Sequence, residues 1–173
     1  MIGRQRFKPN DVLKHNGLVF LKLTLNKWSI IDEVDYIAIK NYRWYAVKDR
    51  NKFYAKTTLP NPRKRITLKL HRLLLPNAIC VDHKNGSGLD NRRLNIREAS
   101  RSNNSHNRSQ AINNTIGYKG VYKDKDTPKW KAAIGFNGKL KHIGVFNTPQ
   151  EAAYAYNCAA TLLHGAFAKL NNI

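Results

Sequence analysis

Cysteine is nearly absent from this sequence: its 173 residues hold two, Cys80 and Cys158, far apart and each in an apolar context. A disulfide framework and a Cys-rich zinc site are thereby excluded as organising devices; no structural zinc is expected, and each thiol reads as a small buried hydrophobe. Long apolar runs are missing as well. No stretch of about 20 apolar residues and no basic amphipathic helix occurs, which argues against a membrane role. The basic residues of 1–10 are not followed by an apolar core, so no secretory signal is read there and the expected location is intracellular, in cytoplasm or nucleoid. Gly86-Ser87-Gly88 is not followed by Gly-Lys-Ser/Thr, so it is no nucleotide phosphate loop, and there is no nucleophilic-serine elbow. Negative charge is the scarcest commodity. Asp and Glu number 11 against 31 Lys and Arg, a formal charge of +20, and residues 50–81 contain no acid at all.

What is present fits a folded, polyanion-binding protein. A hydrophobic content of 42% suffices for a packed core, in one ordinary domain or two small ones. Lys52, Lys56, Arg63, Lys64, Arg65, Lys69 and Arg72 fall inside segments with folded character, so the positive charge forms a surface on a scaffold rather than a solvated tail. Nucleic acid is the leading partner.

An α+β fold is expected. Short strand-like runs open the chain: Leu18-Val19-Phe20-Leu21, Trp28-Ser29-Ile30-Ile31, Trp44-Tyr45-Ala46-Val47, Phe53-Tyr54-Ala55, and alternating Ile66, Leu68 and Leu70. Residues 32–41 allow one or two helical turns, with Val34, Ile37 and Ala38 on a common face. Residues 70–75 read as a short helix stopped by Pro76, followed by a strand at Ala78-Ile79-Cys80-Val81. A turn-rich loop from Asp82 to Asn91, a returning strand over 94–99 and a helix over 100–108 capped by Ser100 complete a first region, 1–108. The polar, Asn-rich stretch 109–116 is the candidate linker. Beyond it, in 117–173, three strand-like runs precede an amphipathic helix. Asn137-Gly138 signals a hairpin between the last two, Thr148-Pro149-Gln150-Glu151 is a capping box with proline at the first helical position, and Gly165 ends the helix. Ala152, Ala155, Tyr156, Ala159 and Leu163 share its expected inner face.

Phosphodiester hydrolysis needs an activated water, an electrophile for the developing charge, and fixed geometry between them. Asp82 offers a hard oxygen ligand and Asn104 a neutral one, suited to a single octahedral Mg²⁺ (or Mn²⁺) that keeps water and phosphate oxygens in its other positions. His83 is the candidate base, neutral for the most part at an ordinary pKa of about 6.5. Strand alternation would send Asp82 and His83 to opposite faces. The runs Val81-Asp82-His83-Lys84-Asn85-Gly86, Leu89-Asp90-Asn91-Arg92-Arg93-Leu94-Asn95-Ile96-Arg97 and 100–107 together resemble the HNH motif of homing endonucleases over about 70–108. That resemblance implies a ββα-metal nuclease unit. In it Asp82 and Asn104 bind the metal, His83 is the general base, Asn95 braces the loop and orients the base, and products carry 5′-phosphate and 3′-hydroxyl ends. Asn103 is the alternative to Asn104, and His71, His106 and Asn107 are secondary candidates.

Residues 117–172 resemble the apetala-two, or ethylene-response-factor, DNA-binding domain. The residues that carry the likeness are Tyr118-Lys119-Gly120-Val121-Tyr122, Trp130-Lys131-Ala132-Ala133-Ile134, Ile143-Gly144-Val145-Phe146-Asn147-Thr148, Glu151-Ala152-Ala153-Tyr154-Ala155-Tyr156, and His164-Gly165 through Leu170-Asn171. The likeness implies a three-stranded antiparallel sheet on one helix, with the outer sheet face on DNA. The outward candidates are Lys119, Tyr122, Lys123, Lys129, Lys131, Lys139, Lys141 and His142, with Trp130 on either side; Arg63, Lys64, Arg65, Arg92 and Arg93 add basic contacts in the first region. Double-stranded DNA is the expected partner, with no small-molecule cofactor beyond the metal. A monomer that nicks is expected, a dimer being the alternative. A non-catalytic DNA-binding regulator and an RNA-binding protein fit the same composition.

Overall fold

The computed structural model describes residues 9–61, 63–100, 102, 103, 107 and 116–173. It is an α+β protein of small antiparallel sheets with few helices, and the chain divides into two compact units, Met1–Ala99 and Ser100–Ile173.

In the first unit β1 (Val12–His15), β2 (Leu18–Lys22) and β3 (Trp28–Asp32) form one antiparallel sheet in that order. The strand β1 was not anticipated, because three of its four residues are exposed and it shows no apolar alternation. Its signal lay in the turn: Asn16 and Gly17 both take positive φ, 48° and 72°, as the tightest hairpin connection requires. On β3 the alternate residues Ser29 and Ile31 face inward, fully buried. A 3₁₀ turn (Glu33–Asp35) and the one-turn α1 (Tyr36–Ile39) follow. Their buried residues are Asp35 and Ile39; Val34 and Ile37 are 79% and 67% exposed, so the apolar face expected there points to water. The orientation is set instead by the Asp35–Arg93 ion pair and by Ile39 entering the core.

A second sheet, β4 (Tyr45–Asp49), β5 (Lys52–Leu59) and β6 (Ile66–Lys69), leads straight into α2 (Leu70–Leu74). The next strand, β7, spans Cys80–His83 rather than 78–81, and pairs antiparallel with β8 (Ile96–Ala99). Ala78 is held before the strand by its N–H to the Leu75 carbonyl, while the Arg72 guanidinium donates to the Ala78 and Ile79 carbonyls. The shift matters, because it puts Asp82 and His83 on a paired strand. Val19, Ile31, Ile39, Trp44, Leu70 and Val81 share one core, where each buried aliphatic side chain contributes about 1.5–3 kcal/mol. Trp44 satisfies its indole N–H on the Ile39 carbonyl at 3.0 Å.

In the second unit β9 (Val121–Lys123), β10 (Trp130–Phe136) and β11 (Lys139–Phe146) form a sheet with β10 in the middle. Asn137 and Gly138, both at positive φ, close the β10–β11 hairpin. A register shift between Ala132 and Ala133 explains why three consecutive residues, Ala132, Ala133 and Ile134, are all buried: the irregularity breaks strand alternation. Helix α3 (Pro149–His164) starts with the Thr148–Glu151 capping box and turns Ala152, Ala153, Tyr156, Ala160 and His164 inward. Ala155, Ala159 and Leu163 are only half-buried, so the inner face is rotated from the expected one toward Ala153, Ala160 and His164.

Gly120 shows how close that approach is. Its φ is +75°, and a Cβ there would lie 2.2 Å from the Tyr156 ring and 2.7 Å from the Ala133 carbonyl oxygen. Gly120→Ala therefore combines left-handed backbone strain of about 1–2 kcal/mol with overpacking of about 1–3 kcal/mol. Urea unfolding of the second unit should reveal the loss directly.

Candidate functional site

Strand β7 carries the two residues on which the site is built. Asp82 and His83 are 4% and 6% exposed, and as neighbours on a strand they leave it in opposite directions. Arg97 lies directly across the ladder from Asp82, and its Nε and Nη2 both donate to Asp82 Oδ2, at 2.9 and 2.7 Å. The carboxylate is thus fixed by a guanidinium fork in a site nearly closed to water, where such a pair is much stronger than on the surface.

The His83 imidazole packs edge-on against His71, with ring centroids 4.9 Å apart, and against Tyr54 at 6.1 Å; Tyr54 and His71 meet at 5.8 Å. Burial lowers the His83 pKa from its ordinary value, opposed by its hydrogen bond to Asn91 and by the Asp82 carboxylate. Burial, reinforced by His83, pushes His71 down to about 3. His71 is therefore a neutral ring at any physiological pH, and it serves as a wall of the His83 pocket.

Two asparagines divide the work of holding the loop between β7 and β8. Asn95, 7% exposed, clamps it: Asn95 Oδ1 accepts from the Asn85 N–H at 3.0 Å, Asn95 Nδ2 donates to the Asp90 carbonyl at 2.7 Å, and the Lys84 N–H reaches the Asn95 carbonyl at 2.9 Å. The side-chain bond to His83 comes instead from Asn91, whose Oδ1 lies 3.2 Å from His83 Nε2. Sequence reasoning missed this residue. The loop is also tied to the N-terminal sheet: Ile30 N–H donates to the Leu89 carbonyl and Asn91 N–H to the Ile30 carbonyl, at 2.9 and 2.7 Å. Gly88 fits here because even a Cβ would lie 2.5 Å from Phe53 O and the Tyr54 ring.

Arg92 and Arg93 are engaged in the same framework. Arg92 forks onto Asp90, holding that carboxyl below its usual range, and Arg93 pairs with Asp35 while its N–H donates to Asp32 Oδ2 at 2.6 Å. Arg63, Lys64 and Arg65 are exposed between β5 and β6, where Asn61 Oδ1 accepts from the Arg63 and Lys64 N–H groups.

Asn104 and His106 lie outside the described residues. Asn103 is half-buried, its N–H donating to the Ser100 hydroxyl at 3.0 Å as in an N-cap, and its carbonyl accepting from the N–H of buried Asn107 at 3.3 Å. Among the described residues no group of three or more His, Cys, Asp or Glu is placed to hold a metal ion. Asp82 is a buried carboxylate, the kind of ligand of which hard divalent ions take one or two from a protein, and its Oδ2 is held by Arg97.

On the second unit Lys123, Lys129, Tyr122, Lys139, Lys141 and His142 are exposed, and Trp130 is half-buried against the core. Lys141 lies over the Phe136 ring at 4.9 Å, and Lys131 pairs with Asp124 at 2.8 Å, holding that carboxyl down to about 2. Lys119 departs from the outward set: it is half-buried in a cavity of about 460 Å³ with Phe136, Tyr156 and His164, and burial, helped by Lys169, lowers its pKa to about 8.

No family model matches the chain. It is, however, 30% identical over 162 residues to an uncharacterised HNH endonuclease of Acanthamoeba polyphaga mimivirus, covering 89% of this chain and 75% of the relative. The chain belongs to the HNH endonuclease family. A 56-residue stretch of this family member is also 41% identical to an ethylene-responsive transcription factor of Arabidopsis thaliana. That match spans 31% of the chain and 13% of the plant protein, a shared segment rather than a shared architecture.

Proposed function

We propose that this HNH family member is a divalent-metal-dependent DNA endonuclease of the homing type, with its catalytic centre at Asp82 and His83. The observation that carries the proposal is the buried Asp82–His83 pair on β7, each side chain fixed by its own partner, Arg97 or Asn91. In this reading β7 and β8 are the two strands of the ββα unit, and residues 100–108 are expected to supply its helix.

Asp82 and Asn104, with Asn103 as the alternative, would hold Mg²⁺ or Mn²⁺, which when bound polarises the phosphoryl group and stabilises the leaving 3′ oxygen. His83 accepts the proton of the attacking water. With Nε2 committed to Asn91 Oδ1, its basic nitrogen is Nδ1. Burial keeps the ring neutral and ready to take that proton at neutral pH. Asn95 keeps the loop from shifting beneath it. Products with 5′-phosphate and 3′-hydroxyl ends follow, and a monomer with one such centre nicks.

Residues 117–173 deliver the centre to duplex DNA. Their exposed lysines contact phosphates, which position a protein without specifying bases, and the 109–116 stretch is the linker that sets the effective concentration at the target. Binding should therefore weaken steeply with salt, log K falling with slope about −0.9 per phosphate contact; a flat response in fluorescence anisotropy would contradict the lysine surface. To test cleavage chemistry, a nicked duplex is treated with DNA ligase. Sealing without prior kinase treatment is the expected result, and ends that ligase cannot join would refute the proposed chemistry.

A further inference from the structure

Ser29 is an unusual residue for its place. It occupies a core-facing position of β3, fully buried between strand neighbours of a hydrophobic sheet, and its hydroxyl is not used by its own sheet. Instead Ser29 Oγ donates to the Leu89 carbonyl at 2.8 Å and accepts from Asn91 Nδ2 at 2.9 Å. Proton counting then fixes the rest of the chain. A serine hydroxyl has one proton, and the Leu89 carbonyl takes it, so only the NH₂ of Asn91 can face Ser29. Asn91 Oδ1 is thereby turned to His83 Nε2, which must carry the proton in the neutral ring.

We propose that Ser29 is a positioning residue for His83, acting through Asn91 to hold the imidazole as the Nε2–H tautomer with Nδ1 as the basic nitrogen. Asn91 is itself fully buried, and its backbone N–H is pinned to the Ile30 carbonyl at 2.7 Å, so the relay is stiff from β3 to the ring. This gives the N-terminal sheet a role in the chemistry: it supplies the outer support of the base, 54 positions along the chain from it. The inference rests on His83 being the base of the proposed nuclease, but the tautomer can be read without any cleavage.

The test is ¹⁵N NMR of histidine-labelled full chain without metal or DNA, at a pH where the ring is neutral, with His83 assigned by its loss in His83→Ala. Wild type should show the Nε2–H tautomer. Ser29→Ala should populate the Nδ1–H form and slow single-turnover nicking roughly 10- to 100-fold, the usual cost of losing an outer partner, with KM for plasmid unchanged; Ser29→Thr should restore both. In the double variant Ser29→Ala/Asn91→Asp both oxygens at position 91 accept, so the Nε2–H form should return even though the hydroxyl is gone. A Ser29→Ala protein with the wild-type tautomer overturns the inference, as does a double variant that stays mixed. If Ser29→Ala fails to fold, Ser29→Cys takes its place, because a thiol fills the same space but donates and accepts only weakly; a Ser29→Cys protein with the wild-type tautomer overturns the inference. A wild type that shows the tautomer yet never cleaves would leave the relay standing and refute the nuclease reading instead.

Discussion

His83→Ala will slow DNA nicking by about 10²- to 10⁴-fold, the range that a positioned general base contributes, while leaving duplex affinity unchanged. The size of the effect follows from the site's closure. His83 is buried against His71 and Tyr54, and the neighbouring His71, neutral but with its pKa near 3, is far too weak a base to substitute. Affinity should survive because the exposed lysines proposed to meet phosphate, such as Lys123, Lys139 and Lys141, lie on other strands. Single-turnover rates and anisotropy titrations on the same preparation separate the two quantities. Equal losses in both would make His83 a structural residue.

Arg97→Ala will destabilise the first unit by about 3 kcal/mol, the cost of breaking a buried ion pair from one side. Arg97 donates twice to one oxygen of Asp82, and the side chains of the pair are 15% and 5% exposed. Removing the fork leaves the carboxylate poorly compensated in a low-dielectric site. Arg97→Lys should recover only part of the loss, because an ammonium cannot reproduce the fork. Mg²⁺ should raise the melting temperature of Arg97→Ala more than that of wild type, since the cation restores positive charge at Asp82. Urea unfolding with and without EDTA measures both effects; an Arg97→Ala protein as stable as wild type would show that the pair contributes nothing.

The parts of the fold that rest on local chemistry were legible in the sequence. The Asn137-Gly138 hairpin, the Thr148–Glu151 capping box and the Leu70–Leu74 helix before Pro76 each announce themselves within a few residues, and the structure has them where they were read. Asp82 and His83 were read from an ordered motif, and the structure puts both, buried, on β7. What escaped depends on partners distant in sequence. The buried face of Glu33–Asp35 is set by Arg93, 58 positions away, and the tie between Ser29 and Asn91 spans 62 positions. Nothing in a strand reading Trp28-Ser29-Ile30-Ile31 marks its serine as support for a histidine. Asn91 was overlooked because Asn95 matched the motif's middle position. The structure separates their work, giving Asn95 the loop backbone and Asn91 the imidazole.

The proposed function stands or falls on whether the Asp82–His83 centre hydrolyses DNA with a divalent cation. Incubating supercoiled plasmid with the full chain tests it most directly, with Mg²⁺ or Mn²⁺, with EDTA, and with His83→Ala in parallel. Open-circular product that requires the metal and disappears in His83→Ala is the predicted result. Plasmid that is bound but stays supercoiled with every divalent ion tried would contradict the account and leave a DNA-binding protein without nuclease activity.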